Sequence, residues 1–281
     1  MFEQLTILAP GLLGASLGMA ARELGLARRI HVWARRPETR RSCADEAWCD
    51  DVFPEPVDSV RGSDLVVLCP PVDAIVPLLK QISPGLEKGA LVTDVGSTKS
   101  RICRLGAHIV PEQVGFIGSH PMAGSEKSGM EHATGDLFRD RACLVTPLEE
   151  SPAGQVDTLV AFWKSMGMEV TTLSPEKHDE IVAQISHLPH LLASLLALHL
   201  SRKPAAWQAF CGNGLRDTTR IAAGNSGIWR SIFEENKDEL LRAIDEFEGE
   251  LGRMRSALHN GEWAHVRHLL ELGKSYREGL D

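Results

Sequence analysis

The sequence predicts an α/β chain: a doubly wound, mostly parallel sheet over residues 1–174, followed by an all-helical domain over residues 175–281. Three observations carry this. Short apolar runs alternate with helical patterns as far as Leu173, which is the signature of a parallel sheet covered by helices. A glycine-bearing turn follows the first apolar run, and strand signals stop after Ser174-Pro175.

In order, Leu5-Thr6-Ile7-Leu8 is the first strand, and it enters the turn Ala9-Pro10-Gly11-Leu12-Leu13-Gly14. Gly14 to Leu24 has helical periodicity. Ile30-His31-Val32-Trp33 is the second strand. Leu65-Val66-Val67-Leu68-Cys69 is the third, near-continuous in apolar residues as a strand buried on both faces requires. Leu91-Val92-Thr93, Gly115-Phe116-Ile117 and Cys143-Leu144-Val145-Thr146 complete the strands, with a helix over Ala153 to Met166. Ser174 caps and Pro175 opens a long helix over Glu176 to Ser201, and another runs from Lys237 to Leu258. Leu191 to Leu200 is too apolar for one solvated face, so it belongs to a helical core or to a dimer interface.

Of the 281 residues 43% are apolar and 24% charged, the balance of a folded, soluble protein. A net charge of -8 argues against non-specific nucleic-acid binding, which needs excess cations for phosphates. An anionic ligand must then be met by local cations. The six cysteines form no C-x-x-C pair, which argues against a zinc ribbon or redox dithiol and fits a reducing cytoplasm. No basic segment precedes an apolar stretch at the N-terminus, and no apolar run reaches membrane-spanning length, so neither a signal peptide nor a membrane partner is expected.

Ala9 to Gly14 matches the dinucleotide fingerprint G-x-G-x-x-G except that Ala9 replaces the first glycine. Gly11 lets the backbone approach a pyrophosphate, Gly14 lets helix and strand pack closely, and the helix start through Leu12 and Leu13 offers free N–H groups to phosphate. The motif in this position defines a Rossmann-type domain. An NAD-binding domain carries an acidic residue at the end of the second strand, whereas Trp33-Ala34-Arg35-Arg36 carries two arginines. Arg35 and Arg36 therefore favour NADP over NAD, unless they form a solvated turn and the ribose is held elsewhere, as by the backbone around Cys69 and Pro70.

Asp94-Val95-Gly96-Ser97-Thr98-Lys99 follows the fourth strand, so Ser97 faces the ligand edge or is part of a polar turn. His120, held extended by Pro121, is placed at the same edge as a general base, with Glu126 close enough in sequence to orient a cation. His187 and His190, three apart in the long helix, project to one face, with Pro189 disturbing the helix between them. They lack a third ligand for a metal site, and none is expected. Arg216 and Arg220, four apart, share a helix face suited to carboxylates or simply to solvent; Trp229 nearby packs on a flat ring or fills core.

Taken together, G-L-L-G-A-S from Gly11, D-V-G-S-T-K from Asp94, S-H-P-M-A-G-S-E from Ser119, H-D at His178-Asp179, S-H-L-P-H from Ser186 and R-D-T-T-R-I-A from Arg216 resemble the prephenate/arogenate (cyclohexadienyl) dehydrogenase family of tyrosine biosynthesis. The resemblance implies a Rossmann domain followed by a helical dimerisation domain, hence a homodimer. It implies that His120 accepts a hydrogen bond from the ring hydroxyl with Ser97 beside it, and that His187, His190, Arg216 and Arg220 surround the substrate. Ala9 and the missing acidic residue are departures that bear on the cofactor. A β-hydroxy acid dehydrogenase relying on a lysine of its helical domain, and a non-catalytic nucleotide sensor, are the competing readings.

Overall fold

A computed structural model of the chain describes residues 2–124 and 129–280. Strands β1 (Phe2–Leu8), β2 (Ala27–Trp33), β3 (Asp51–Phe53), β4 (Leu65–Leu68), β5 (Leu91–Asp94) and β6 (Gly115–Phe116) form one parallel sheet in the order β3-β2-β1-β4-β5-β6. Helices α1 (Leu12–Glu23), α2 (Pro37–Ala44), α3 (Pro56–Ser59), α4 (Val72–Ile82) and α5 (Ser100–Ile109) lie between them along the chain. The strand order reverses between β1 and β4, and a crevice at that switch point is where open α/β sheets bind ligands.

Alternation along the strands gives the sheet two cores. Ile7 and Val67 pack on one face with Leu17, Phe138 and Trp163. Leu8, Val66 and Leu68 pack on the other with Ile75, Leu79 and Phe116. Both faces being covered, β4 and β5 are buried at every residue.

A second sheet holds β7 (Gly118–Pro121), β8 (Ala142–Thr146) and β9 (Glu169–Thr172), with α6 (Ala153–Ser165) joining the last two. β7 runs antiparallel to β8, His120 opposite Leu144, and β8 runs parallel to β9. This corrects the placement of His120 and of the Cys143–Thr146 strand on the main sheet. The parallel sheet ends with the two residues of β6, and the chain then crosses to a separate layer. The Ser119 hydroxyl still ties β7 to the end of β5, donating to the Asp94 carbonyl at 2.7 Å.

From Pro175 every regular element among the described residues is helical: α7 (Pro175–Val182), α8 (Leu188–Ser201), α9 (Asn213–Thr219), α10 (Ser226–Glu235), α11 (Lys237–Asn260) and α12 (Trp263–Glu278), with short 3₁₀ turns between some of them. The Ser174 hydroxyl accepts from the Lys177 N–H at 3.1 Å, and Pro175 occupies the first turn, so the helix begins as its cap requires. α7 and α8 are continuous through a π turn at Ala183–His187. Pro189 has no N–H for a carbonyl one turn back, and the wider turn just before it absorbs that mismatch.

Read through the π turn, Pro175–Ser201 is 27 residues with a mean hydropathy of 1.6 in its most apolar window, long and apolar enough to cross a membrane by length and composition. That corrects the reading taken from separate apolar runs. Ile185, Leu195 and Leu198 on it are exposed. The chain divides into two compact units, Met1–Asn236 and Lys237–Asp281. The first carries both sheets and α1 to α10; the second is the α11–α12 pair.

Candidate active site

At the switch point the ends of β1 and β4 lie side by side. Ala9 to Gly14 continues β1, with the Ala9 N–H donating to the Trp33 carbonyl at 2.7 Å. Cys69 and Pro70 continue β4, both half-buried, with the Cys69 N–H donating to the Leu8 carbonyl at 2.9 Å. Ala9 has φ of 59°, the left-handed conformation that glycine adopts freely, so the turn keeps the fingerprint's backbone without its glycine.

The residues present fit a dinucleotide pyrophosphate. A Cβ at Gly11 would point into open space, which a phosphate can occupy. A Cβ at Gly14 would lie 3.2 Å from the Cys69 and Ile7 side chains, so glycine lets α1 sit this close to the sheet without displacing them. α1 has no side-chain cap and no acidic residue in its first turn, leaving its N–H groups and positive end for an anion. Arg35 and Arg36 are exposed beyond β2. Arg40 holds that loop by donating to the Ala34 and Arg35 carbonyls at 2.8 and 3.0 Å.

A relay of buried side chains lies beyond β5. His120 Nδ1 is 2.9 Å from His178 Nε2, and His178 Nδ1 is 2.8 Å from Asp179 Oδ1. The Asp179 carboxylate also accepts the main-chain N–H groups of Lys99 and Ser100, at 2.8 Å each. Burial pushes the Asp179 carboxyl up, but hydrogen bonds from His178 and Ser100 outweigh it and hold it below its ordinary value. Asp179 is thus an anion that only accepts, so His178 Nδ1 carries a hydrogen. Burial lowers the His178 pKa and leaves the ring neutral, with Nε2 bare. His120 Nδ1 must then donate to it, and His120 Nε2 is left as a lone pair with no hydrogen-bond partner among the described residues. Burial, followed by the nearby His178 and Lys99, puts the His120 pKa well below its ordinary value, so this lone pair is available throughout the neutral range. The arrangement is what a general base requires.

Beneath it Lys99 pairs with Asp94, both fully buried. Asp94 also accepts the Gly96 N–H at 2.8 Å, closing the turn that presents the half-buried Ser97. His187 and His190 are buried, as expected of a shared face. His190 stacks on Trp229, centroids 3.5 Å apart, and His187 meets the same indole edge-on at 6.2 Å. Arg216 and Arg220 are exposed. They do not share one continuous helix, because α9 ends at Thr219 and a 3₁₀ turn, Arg220–Ala223, follows. That turn leads to Gly224, where a Cβ would meet Trp229 at 2.8 Å and His190 at 3.3 Å, so the Arg220 turn lies beside the His190–Trp229 pair. Glu126 lies outside the described residues.

Sequence reasoning gave His178, Asp179, Lys99 and Asn236 no role. The signal for the first two was present: a His-Asp pair in the first turns of a capped helix, where two polar residues in succession are buried to 0% and 3% exposure. A charge buried so completely needs a partner.

A parallel sheet in this strand order, an uncapped phosphate-binding helix end and a neutral buried histidine beyond β5 define a Rossmann-fold, nicotinamide-dependent dehydrogenase. Residues 17–172 match "Prephenate dehydrogenase, nucleotide-binding domain" and residues 174–272 match "Prephenate dehydrogenase, dimerization domain". The chain belongs to the prephenate dehydrogenase family. It is 29% identical over 284 residues to prephenate dehydrogenase of Bacillus subtilis, covering 100% of this chain and 76% of that one. It is 28% identical to cyclohexadienyl dehydrogenase of Zymomonas mobilis, covering 92% and 89%. The crystal structure of prephenate dehydrogenase from Aquifex aeolicus, in complex with hydroxyphenyl propionate and NAD+, superposes with a TM-score of 0.94 at 28% identity, covering 100% of this chain and 99% of that one.

Proposed function

We propose that the chain catalyses the oxidative decarboxylation of prephenate to 4-hydroxyphenylpyruvate, with His120 as the base. The observation that carries this is the His120–His178–Asp179 relay, which leaves a bare nitrogen on His120 in a chain of this family. The substrate is a cyclohexadienol with a carboxylate and a side chain on the ring carbon opposite the hydroxyl. A bound nicotinamide would supply the acceptor for the hydride of the carbinol carbon. His120 takes the hydroxyl proton, and Asp179 stabilises the charge that then spreads over the two rings. Loss of carbon dioxide makes the ring aromatic, so the protein has mainly to align and to hold. Ser97 assists beside His120. Arg216 and Arg220 hold carboxylates, with His187, His190 and Glu126 around the substrate.

NADP is the preferred cofactor in this reading. No carboxylate stands at the end of β2 itself, and the exposed Arg35 and Arg36 that follow it are suited to a 2′-phosphate. The family's dimerization domain and the exposed Ile185, Leu195 and Leu198 support a homodimer. All six cysteines are free, which supports a reducing compartment such as the cytoplasm. The deciding experiment is a steady-state assay of prephenate and arogenate, each with NAD and NADP. Prephenate with NADP is expected to give the highest kcat/KM. No turnover of either substrate would overturn the reaction, and a clear preference for arogenate or NAD would overturn the corresponding preference alone.

A further inference from the structure

Asn236 follows α10 and is 4% exposed. Its side-chain Nδ2 lies 2.8 Å from the Asp179 carbonyl oxygen and 3.2 Å from His187 Nδ1. Only the amide nitrogen is tolerated there, because the amide oxygen would face a carbonyl oxygen at hydrogen-bond distance. That nitrogen has two hydrogens and no lone pair to offer, so it donates to both neighbours. His187 Nδ1 must therefore accept. In a neutral ring the hydrogen is then on Nε2, which is buried and has no hydrogen-bond partner in good geometry among the described residues, the Ser97 main chain being the one backbone group that interacts with the ring.

A cationic His187 would carry hydrogens on both nitrogens, one of them aimed at the Asn236 N–H. Asn236 therefore opposes the second protonation as well as choosing the tautomer. The titratable groups around the ring are Asp179 and His178 from α7, His190 from α8 and His120 from β7. A positive charge at His187 would pull protons away from the relay that His120 depends on. Burial brings the His187 pKa down to about 4, outweighing the Asp179 charge and the Ser97 main chain, which both raise it, and is consistent with a ring kept neutral.

We propose that Asp179 and Asn236 together fix opposite tautomers on the two site histidines. The Asp179 carboxylate acts through His178 to leave a bare Nε2 on His120. The Asp179 carbonyl orients Asn236, which leaves an Nε2–H on His187. The site then holds one acceptor for a hydroxyl proton and one neutral donor for a substrate oxygen, a carboxylate or carbonyl that must be oriented without being neutralised. Asn236 is a positioning residue in this scheme, and its role rests on the reading of His120 as the base.

Long-range ¹H–¹⁵N spectra of histidine-labelled protein without substrate test this, with His187 assigned by its loss in His187→Gln. At neutral pH the wild type is expected to show His187 protonated at Nε2 alone. A ring protonated at Nδ1, or one exchanging between tautomers, overturns the proposal. In Asn236→Asp the new carboxylate accepts from Nδ1, so the His187 hydrogen should move there and its proton affinity should rise on the order of tenfold or more, as for a new hydrogen bond to a charged group. An unchanged tautomer and midpoint in a folded Asn236→Asp also overturns it. If that variant does not fold, the wild-type spectrum decides. Because no turnover is measured, absence of prephenate oxidation leaves this result standing.

Discussion

The 2.9 Å contact between His120 Nδ1 and His178 Nε2 links a strand of the second sheet to the first helix of the helical half, and it fixes which nitrogen of His120 is free. The relay makes the base neutral and aims it, so removing the base should harm the chemical step more than binding. His120→Asn is expected to lower kcat by about 10²- to 10⁴-fold with little change in KM. A folded His120→Asn variant with near-normal turnover would remove the base from the mechanism.

The pH profile follows from the same burial. The base works only when neutral, and burial sets its pKa well below 6.5. Activity should therefore be level through neutrality, and kcat/KM should fall on the acid side only with a midpoint clearly below 6.5. A midpoint at or above 6.5, measured with prephenate at constant ionic strength, would show that some other group is titrating.

Stability should fail on the acid side. His31, His120, His178, His187 and His190 all have lowered pKa values, in each case first through burial. Below pH 6.5 the unfolded chain takes up protons that the folded chain refuses, so stability falls as pH drops from 6.5 toward the folded values. For His187 alone, with a folded value of about 4, the loss across that window is on the order of 3 kcal/mol. Denaturant melts at pH 7.5 and 5 should show the decline, and its absence would mean that these rings gain solvent before they charge.

Ala9 at φ 59° is a local conflict between residue and backbone. An L-residue in this region costs about 1–2 kcal/mol, and glycine returns part of that through its looser unfolded state. Ala9→Gly is expected to stabilise by about 0.5–1 kcal/mol, a rise of roughly 1–2 °C in Tm. A lower Tm would mean that the methyl group's packing outweighs the strain.

The layout of the fold could be read from the sequence wherever burial forces a pattern. β1, β2, β4 and β5 are buried runs and stand out, as does the Ser174-Pro175 start of α7. β3 and β9 do not, because Asp51-Val52-Phe53 is three residues long and Glu169-Val170-Thr171-Thr172 is mostly exposed. In the site, the fingerprint turn and His120 belong to contiguous motifs. His178 reaches His120 across 58 positions and Asn236 reaches His187 across 49, and no local periodicity encodes such contacts. The transfer of His120 to a second sheet was hidden for the same reason: nothing local separates the strand Gly115-Phe116-Ile117 from the His120 that follows it, and only tertiary pairing with β8 does so.

Lys99 and Asp94 form an ion pair with both side chains at zero exposure. Burying two charges is costly, and the pair offsets this only while both members are present. Lys99→Met keeps the length of the side chain but strands the carboxylate, and the expected loss is about 3–5 kcal/mol near neutral pH. The carboxylate has an escape, because burial already raises the Asp94 pKa against the pull of Lys99. Without Lys99 it rises further, and a protonated Asp94 needs no cation. The destabilisation of Lys99→Met should therefore shrink relative to wild type as pH falls, opposite in direction to the histidine effect. Replacing both residues, as Asp94→Asn with Lys99→Met, removes the stranded charge and should recover part of the loss at neutral pH. Denaturant melts of the three variants, Lys99→Met, Asp94→Asn and the double, at pH 7.5 and 5.5 measure this. If Lys99→Met loses as much at pH 5.5 as at 7.5, and the double variant is as unstable as the sum of the single ones, the lysine acts by packing and not by charge.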